Sequence, residues 1–262
     1  LNAISLLPKK LNILLLQEEY PSLVKAFEEG DFNIHKIPMQ PEIEEGIEKR
    51  LAKGDIDILA LSIVQYASGL FIDIEFLKDL KERYPNLIIV GDGTQFLGAH
   101  HFNFDTSPFD LVAASGYKWL LAGFGNGVMM ISEAYIDMIQ KKPLALFNLV
   151  FNGHFNILAI ASLRFAIKAF EKHDFKLLMK KKDNITQNAK QLLNDTGLID
   201  PWVLQRAQHS SIFILKGEKG VHKKLIKNNI KCVPRGKGIR ISFHYYNTDK
   251  DLNRLLEVLK KE

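Results

Sequence analysis

Asp92 and Lys118 are the pair around which the chemistry of this chain can be organised. The apolar run Leu87, Ile88, Ile89, Val90 reads as a buried strand that delivers Asp92 at its end, ahead of the turn-forming Gly93. A second apolar run, from Phe109 to Ala114, ends on Ser115, Gly116, Tyr117 and Lys118. Open α/β sheets place ligands outside the carboxyl ends of their strands, so an acid and an amine delivered by two strands can form a site. Each residue alone also has a plainer reading. An Asp before Gly often serves only its own turn, and a lysine in a glycine-containing loop is normally solvated.

Such strands need a scaffold, and the rest of the sequence supplies one. From Leu11 onward, short apolar runs alternate with longer helical patterns, the signal for βαβ units and a largely parallel sheet. Strands are expected at residues 11–16, 32–37 and 56–64, and helices at 21–29, 42–53 and 72–84, where Ile72, Phe76, Leu77 and Leu80 share a face. Residues 125–132 read as a further strand. Beyond Pro143 the pattern changes. Long helices are expected at 155–171 and 175–193, strands at 211–215, 230–233 and 239–243, and a helix at 220–228. A last helix opens on Thr248 and Asp251 in a capping-box-like start, with Leu252, Leu255, Leu256 and Leu259 on one face. The expected organisation is a large domain over 1–164 and a small C-terminal α+β domain over 165–262.

Composition limits the alternatives. The 262 residues are 47% hydrophobic and 25% charged, with a net charge of +5, which fits a globular protein with a sizeable core. Basic and acidic residues are interspersed. The tight run Lys180, Lys181, Lys182 is expected on a solvated helix face, so no nucleic-acid partner is expected. The single cysteine, Cys232, cannot form an intrachain disulfide and points to a reducing, cytoplasmic setting. No apolar run approaches the ~18 residues of a membrane span. Residues 1–7 read as the end of a helix, and the chain opens without Met, as though sequence preceded it. His100 and His101 are adjacent, so their side chains diverge and do not suit a metal. Neither a dinucleotide-binding glycine loop nor a P-loop pattern is present.

Three ordered blocks carry a resemblance to a known family. Asp92 with Gln95 matches D-x-x-Q, and Ser115, Gly116, Tyr117 and Lys118 match S-G-[HY]-K. Arg240, Ser242, Tyr246, Asn247 and Thr248 match R-x-S-x-x-x-Y-N-[ST]. Together they resemble the class V aminotransferase family of pyridoxal-phosphate (PLP) enzymes, which includes cysteine desulfurases and selenocysteine lyases. The resemblance implies the PLP-dependent transferase fold type I, an antiparallel strand at 125–132, and a homodimer with cofactor sites at its interface. It implies an amino-acid substrate and PLP chemistry through a Lys118 Schiff base, with amino transfer, lyase or epimerase chemistry all open. A non-catalytic member keeping the dimer scaffold is a further alternative.

The same resemblance distributes roles. Lys118 would carry PLP and move the proton at the substrate α-carbon, while Asp92 would face the pyridine nitrogen and favour its protonated form. Gln95 would bond the cofactor's phenolic oxygen, or else serve backbone groups at its turn. Ser115 would donate to the phosphate, or bond locally. Tyr117 stands where many cysteine desulfurases carry His, and a phenol can still donate to phosphate. His154 falls where a Gly-Thr pair often reaches the neighbouring subunit's cofactor, and it can instead cap the helix that follows. Arg240 would take the substrate carboxylate, or form a surface ion pair. Gln65 or Tyr66 falls where a family Asn or Gln approaches the cofactor. The phosphate-cupping loop and the ring-stacking aromatic or His are expected upstream of Leu1. Cys232, on an apolar strand, does not match the loop cysteine of a desulfurase.

Overall fold

The structure, a computed structural model, describes residues 3–139, 156–217, 219–236 and 238–260. These fall into two compact units. The first holds the chain up to Val64 together with Ile72–Gly98 and Phe102–Ile167, and the second holds Gln65–Phe71, Ala99–His101 and the chain from Lys168.

The first unit is built on a six-stranded sheet of β1 (Asn12–Leu16), β2 (Asn33–Ile37), β3 (Ile58–Ser62), β4 (Ile88–Asp92), β5 (Leu111–Ser115) and β6 (Gly127–Ile131). The order is β2-β1-β3-β4-β5-β6. The first five strands run parallel, and β6 returns antiparallel to β5, as expected. All five residues of β3 are buried, which explains its unbroken apolar run: a central parallel strand is covered on both faces. One face packs Ile13, Leu15, Ile58, Ala60, Ile88 and Val90 against Phe27 and Tyr135. At β1 the winding reverses, since β2 lies on one side of it and β3 on the other.

Helices α1 (Pro21–Glu28), α2 (Ile43–Leu51) and α3 (Ile74–Arg83) alternate with the strands. Pro21 begins α1, where its missing N–H costs nothing. Asp73 caps α3 by accepting from the Glu75 and Phe76 amides, so this helix starts two residues later than its apolar pattern. The chain leaves α2 through Gly54, at φ +80 with open space where a Cβ would stand. A fourth helix, α4 (Glu133–Met138), is capped by Ser132. It is too short for the sequence pattern to mark. Among the described residues of the opening segment, Ile4–Leu6 forms a 3-10 turn that stops because Leu7 precedes Pro8 and is extended at ψ 149. Asp110, buried at the start of β5, accepts from Lys81 Nζ (2.6 Å), the Ile89 amide (2.8 Å) and Ser132 Oγ (3.0 Å), which ties β4, β5 and α3 together.

Helix α5 (Ile157–Lys172) begins in the first unit and ends in the second. The second unit adds α6 (Phe175–Asp195), α7 (Trp202–Gln205), α8 (Lys219–Lys227) and α9 (Asp249–Lys260) to a three-stranded antiparallel sheet. Its order is β7 (Ile212–Lys216), β9 (Gly238–Ser242), β8 (Val233–Arg235). Ala189, Leu193, Phe213, Leu215, Leu225 and Leu252 form its core. Thr248 and Asp251 do cap α9: the Asp251 carboxylate accepts from the Thr248 amide at 2.8 Å.

Two expectations fail in this unit. The strand at 230–233 begins only at Val233, because Asn229 closes α8 at φ +59 and the Ile230 amide donates to the Leu225 carbonyl (3.0 Å). The basic run is not wholly solvated. Lys180 and Lys181 are exposed, but Lys182 is buried, with its amine donating to the Ala99 carbonyl and 3.0 Å from Asp183 Oδ1. No described helix is long and apolar enough to cross a membrane.

Candidate active site

A cavity of about 560 Å³ opens at the carboxyl ends of β4 and β5, wholly within the first unit. Tyr20, Asp92, Thr94, Ser115, Tyr117 and Lys118 line its polar part. Asp92 is the last residue of β4, in register with Ser62 of β3 and Ala113 of β5. Its Oδ1 accepts from the Thr94 amide at 2.9 Å, an Asx turn that fixes the carboxylate at the strand end. Thr94 in turn accepts the Ser115 amide on its hydroxyl (3.3 Å), linking the two strand ends.

Ser115 closes β5, and its Oγ is buried with no hydrogen-bond partner among the described residues. A buried polar atom left in this way loses its hydration without return, which marks a place where a ligand donor or acceptor belongs. Beyond it the chain turns on Gly116. A Cβ there would lie 2.0 Å from Asn126 Oδ1, so a larger residue at this turn requires the Asn126 side chain to shift. The turn presents Tyr117 and Lys118. Lys118 Nζ lies 5.5 Å from the Tyr20 ring centroid and 5.9 Å from that of Tyr117, within cation–π range of both.

Gln95 is buried behind this wall, and its Oε1 accepts from Trp119 Nε1 at 2.8 Å. An indole N–H can only donate, so the contact assigns the amide's oxygen to Trp119 and turns its N–H₂ away. Tyr117 is exposed and packs on Phe124, with ring centroids 5.0 Å apart.

Sequence reasoning missed Glu19, Tyr20 and Thr94. It expected a ring-stacking group only upstream of Leu1, yet Tyr20 sets an aromatic ring opposite Lys118. The signal was Glu19-Tyr20-Pro21, three residues beyond the end of β1 and at the start of α1. Glu19 is 4% exposed. It accepts from the Ser62 amide at 2.9 Å and bonds the Ser62 hydroxyl. Burial pushes its carboxyl up to about 7, and the charge of Asp92 adds to this while the Ser62 bonds oppose it.

Three of the remaining candidates, Arg240, Gln65 and Cys232, belong to the second unit. Arg240 belongs to the second unit, half-buried on β9, where Nη1 donates to the Tyr66 carbonyl at 2.8 Å. Burial, with the charge of Arg235, lowers its pKa but leaves a guanidinium charged. Gln65 spends its Oε1 on the Ala67 and Ser68 amides at 2.6 and 2.8 Å, holding a turn. Cys232 packs against the second unit's core, and burial pushes its thiol up. His154 lies outside the described residues.

Comparison with known proteins places this geometry in context. The family described as aminotransferase class-V matches residues 1–255, and the chain belongs to that family of enzymes. A search of curated proteins finds no match. Among solved structures, a cysteine desulfurase from Thermococcus onnurineus NA1 superposes with a TM-score of 0.80 at 17% identity, over 99% of this chain and 75% of that one. An alanine–glyoxylate aminotransferase from Nostoc sp. gives 0.76 at 15%, over 99% and 78%. A NifS-like protein from Rickettsia africae gives 0.76 at 18%, over 95% and 74%. The fold is the mainly parallel α/β fold type I of PLP-dependent transferases, as the sequence motifs implied.

Proposed function

We propose that this member of the class V aminotransferase family is a PLP-dependent enzyme acting on an amino acid, with Lys118 as the residue that carries the cofactor. The observation that carries the reading is one cavity lined by an amine, a carboxylate, an aromatic ring and the unpartnered buried hydroxyl of Ser115. That donor set fits PLP, which when bound supplies an electron sink for the α-carbon of its substrate.

Each residue then has a task. Lys118 would hold PLP through its side-chain amine and would move the proton at the substrate α-carbon. Asp92 would keep a proton on the pyridine nitrogen through its negative charge. The Tyr20 ring would offer an aromatic face to the pyridine. Ser115 Oγ and the Tyr117 hydroxyl would donate to phosphate, and His154 would do so from a second subunit. Gln95, oriented by Trp119, would donate its amide N–H to the phenolic oxygen. Arg240 takes the substrate carboxylate in a bidentate pair.

The reading includes a homodimer in a cytoplasmic setting. Phe124, Leu158 and Phe165 of the first unit are 80%, 83% and 76% exposed, apolar surface of the kind an interface covers. Raised by burial and packed on a core, the Cys232 thiol is a poor sulfur acceptor, which favours amino transfer over desulfuration.

The test is direct. Purified protein mixed with PLP gains the visible absorbance of lysine-bound cofactor, and borohydride reduction followed by peptide mapping places the adduct on Lys118. Lys118→Ala loses both signals; an adduct that persists in that variant sinks the reading. An amino-acid panel with and without an α-keto acid acceptor then separates transfer, which needs the acceptor, from lyase or epimerase chemistry.

A further inference from the structure

The cavity wall described above is held by contacts that lie outside the cavity itself. β1 and β3 are the two strands between which the winding of the sheet reverses, and such crevices are where open α/β sheets bind ligands. Their backbone pairing runs from Ile13 with Ile58 to Leu15 with Ala60 and stops there. Past that point a side chain bridges the two strands. Glu19, three residues beyond β1, takes the Ser62 amide at 2.9 Å and also bonds the Ser62 hydroxyl.

Ser62 is the β3 residue in register with Asp92, and the next amide, from Ile63, donates to the Asp92 carbonyl at 3.0 Å. On the other side of Glu19 the next residue is Tyr20, whose ring faces Lys118. One buried carboxyl therefore ties together the segment that carries the ring and the strand that abuts Asp92. Glu18, just before it, stands at φ +63, a left-handed conformation that turns the chain so that Glu19 points inward.

We propose that Glu19 is a positioning residue of the cofactor site, a hydrogen-bonding anchor that bridges β1 to Ser62 and so fixes the places of Tyr20 and Asp92 in the cavity wall. The proposal rests on the PLP reading. Its action is through bonds and not through charge: the groups facing it are Ser62, Tyr20 and the carboxylate of Asp92, and a second negative charge beside Asp92 is opposed by burial.

The test uses the full chain with PLP as probe, at pH 6. Two quantities are read: the PLP dissociation constant, and the pH midpoint of the bound cofactor's visible absorbance. Glu19→Gln keeps both Ser62 bonds with a neutral amide and binds within about twofold of the wild type, whereas Glu19→Ala binds about tenfold more weakly and moves the midpoint. Affinity and midpoint both unchanged in Glu19→Ala overturn the proposal, and so does a loss in Glu19→Gln as large as in Glu19→Ala. If Glu19→Ala does not fold by circular dichroism, Ser62→Ala takes its place, with a loss of about threefold expected and no change overturning the idea. A wild type that takes up no PLP refutes the functional reading and the proposal together. A wild type that binds PLP beside an indistinguishable Glu19→Ala refutes the positioning role alone.

Discussion

Lys118 and Tyr20 face each other across the cavity, with the ammonium nitrogen 5.5 Å from the phenol ring centroid. One comes from the turn after β5 and the other from the loop after β1, so the pair spans the sheet between non-adjacent strands. If the ring covers one face of bound PLP, Tyr20→Ala raises the PLP dissociation constant about tenfold, and Tyr20→Phe stays within about twofold. Titration of the visible absorbance measures both. Equal affinities in all three proteins would remove Tyr20 from the site.

Asp92→Asn keeps an oxygen for the Thr94 amide, and with it the turn, but removes the charge. If Asp92 has its proposed role, the expected result is PLP binding with turnover lowered about a hundredfold, because the charge proposed to face the pyridine nitrogen is gone. Steady-state rates on the best substrate of the panel decide it. A variant with wild-type turnover would separate Asp92 from the chemistry.

Asp110 tests the scaffold independently of function. Its carboxylate serves Lys81, the Ile89 amide and Ser132 at once and is 4% exposed. Asp110→Ala strands the amide and the ammonium, for a loss of about 3 kcal/mol in urea unfolding at pH 7. Lys81 is itself partly exposed, which keeps the figure below that of a fully buried pair.

The second unit carries a pH signature. His209 is sandwiched by Trp202 and Phe213, and burial pushes its pKa from 6.5 to about 4, the Ser210 carbonyl opposing and the charges of Lys190 and Arg206 adding. The unfolded ring takes its proton first, so this stability is present above pH 6.5 and is lost as the pH falls, by about 2 kcal/mol at pH 5. Glu19 has the opposite sign: with its carboxyl raised from 4.5 to about 7, stability is present below pH 4.5 and falls as pH rises toward 7. Comparing wild type with His209→Phe at pH 7 and pH 5 isolates the histidine. A wild type that loses no more stability than the variant would contradict the assignment.

Much of this was legible in the sequence for a physical reason. Strands buried on both faces, such as β3 and β4, announce themselves as apolar runs, and Asp92, Ser115 and Lys118 follow such runs directly. Arg240 was legible as a motif residue, but its bond to the Tyr66 carbonyl joins segments far apart in the chain, and no local pattern encodes that. Glu19 was hidden for a related reason. Two adjacent glutamates after a strand look like a solvated turn, and only the strand order reveals that the second one points into the sheet beside Ser62. Lys182 deceived in the same way, since a run of three lysines does not say which of them a helix turns inward.

All the polar groups of the cavity sit at the carboxyl edge of the parallel strands, whereas Gly54, in the connection that enters β3, sits at the opposite edge with nothing within 4 Å of a Cβ position. For anyone wishing to fix the protein to a bead or electrode, that turn is the natural point of attachment. A tether there leaves the cavity mouth turned toward the solution.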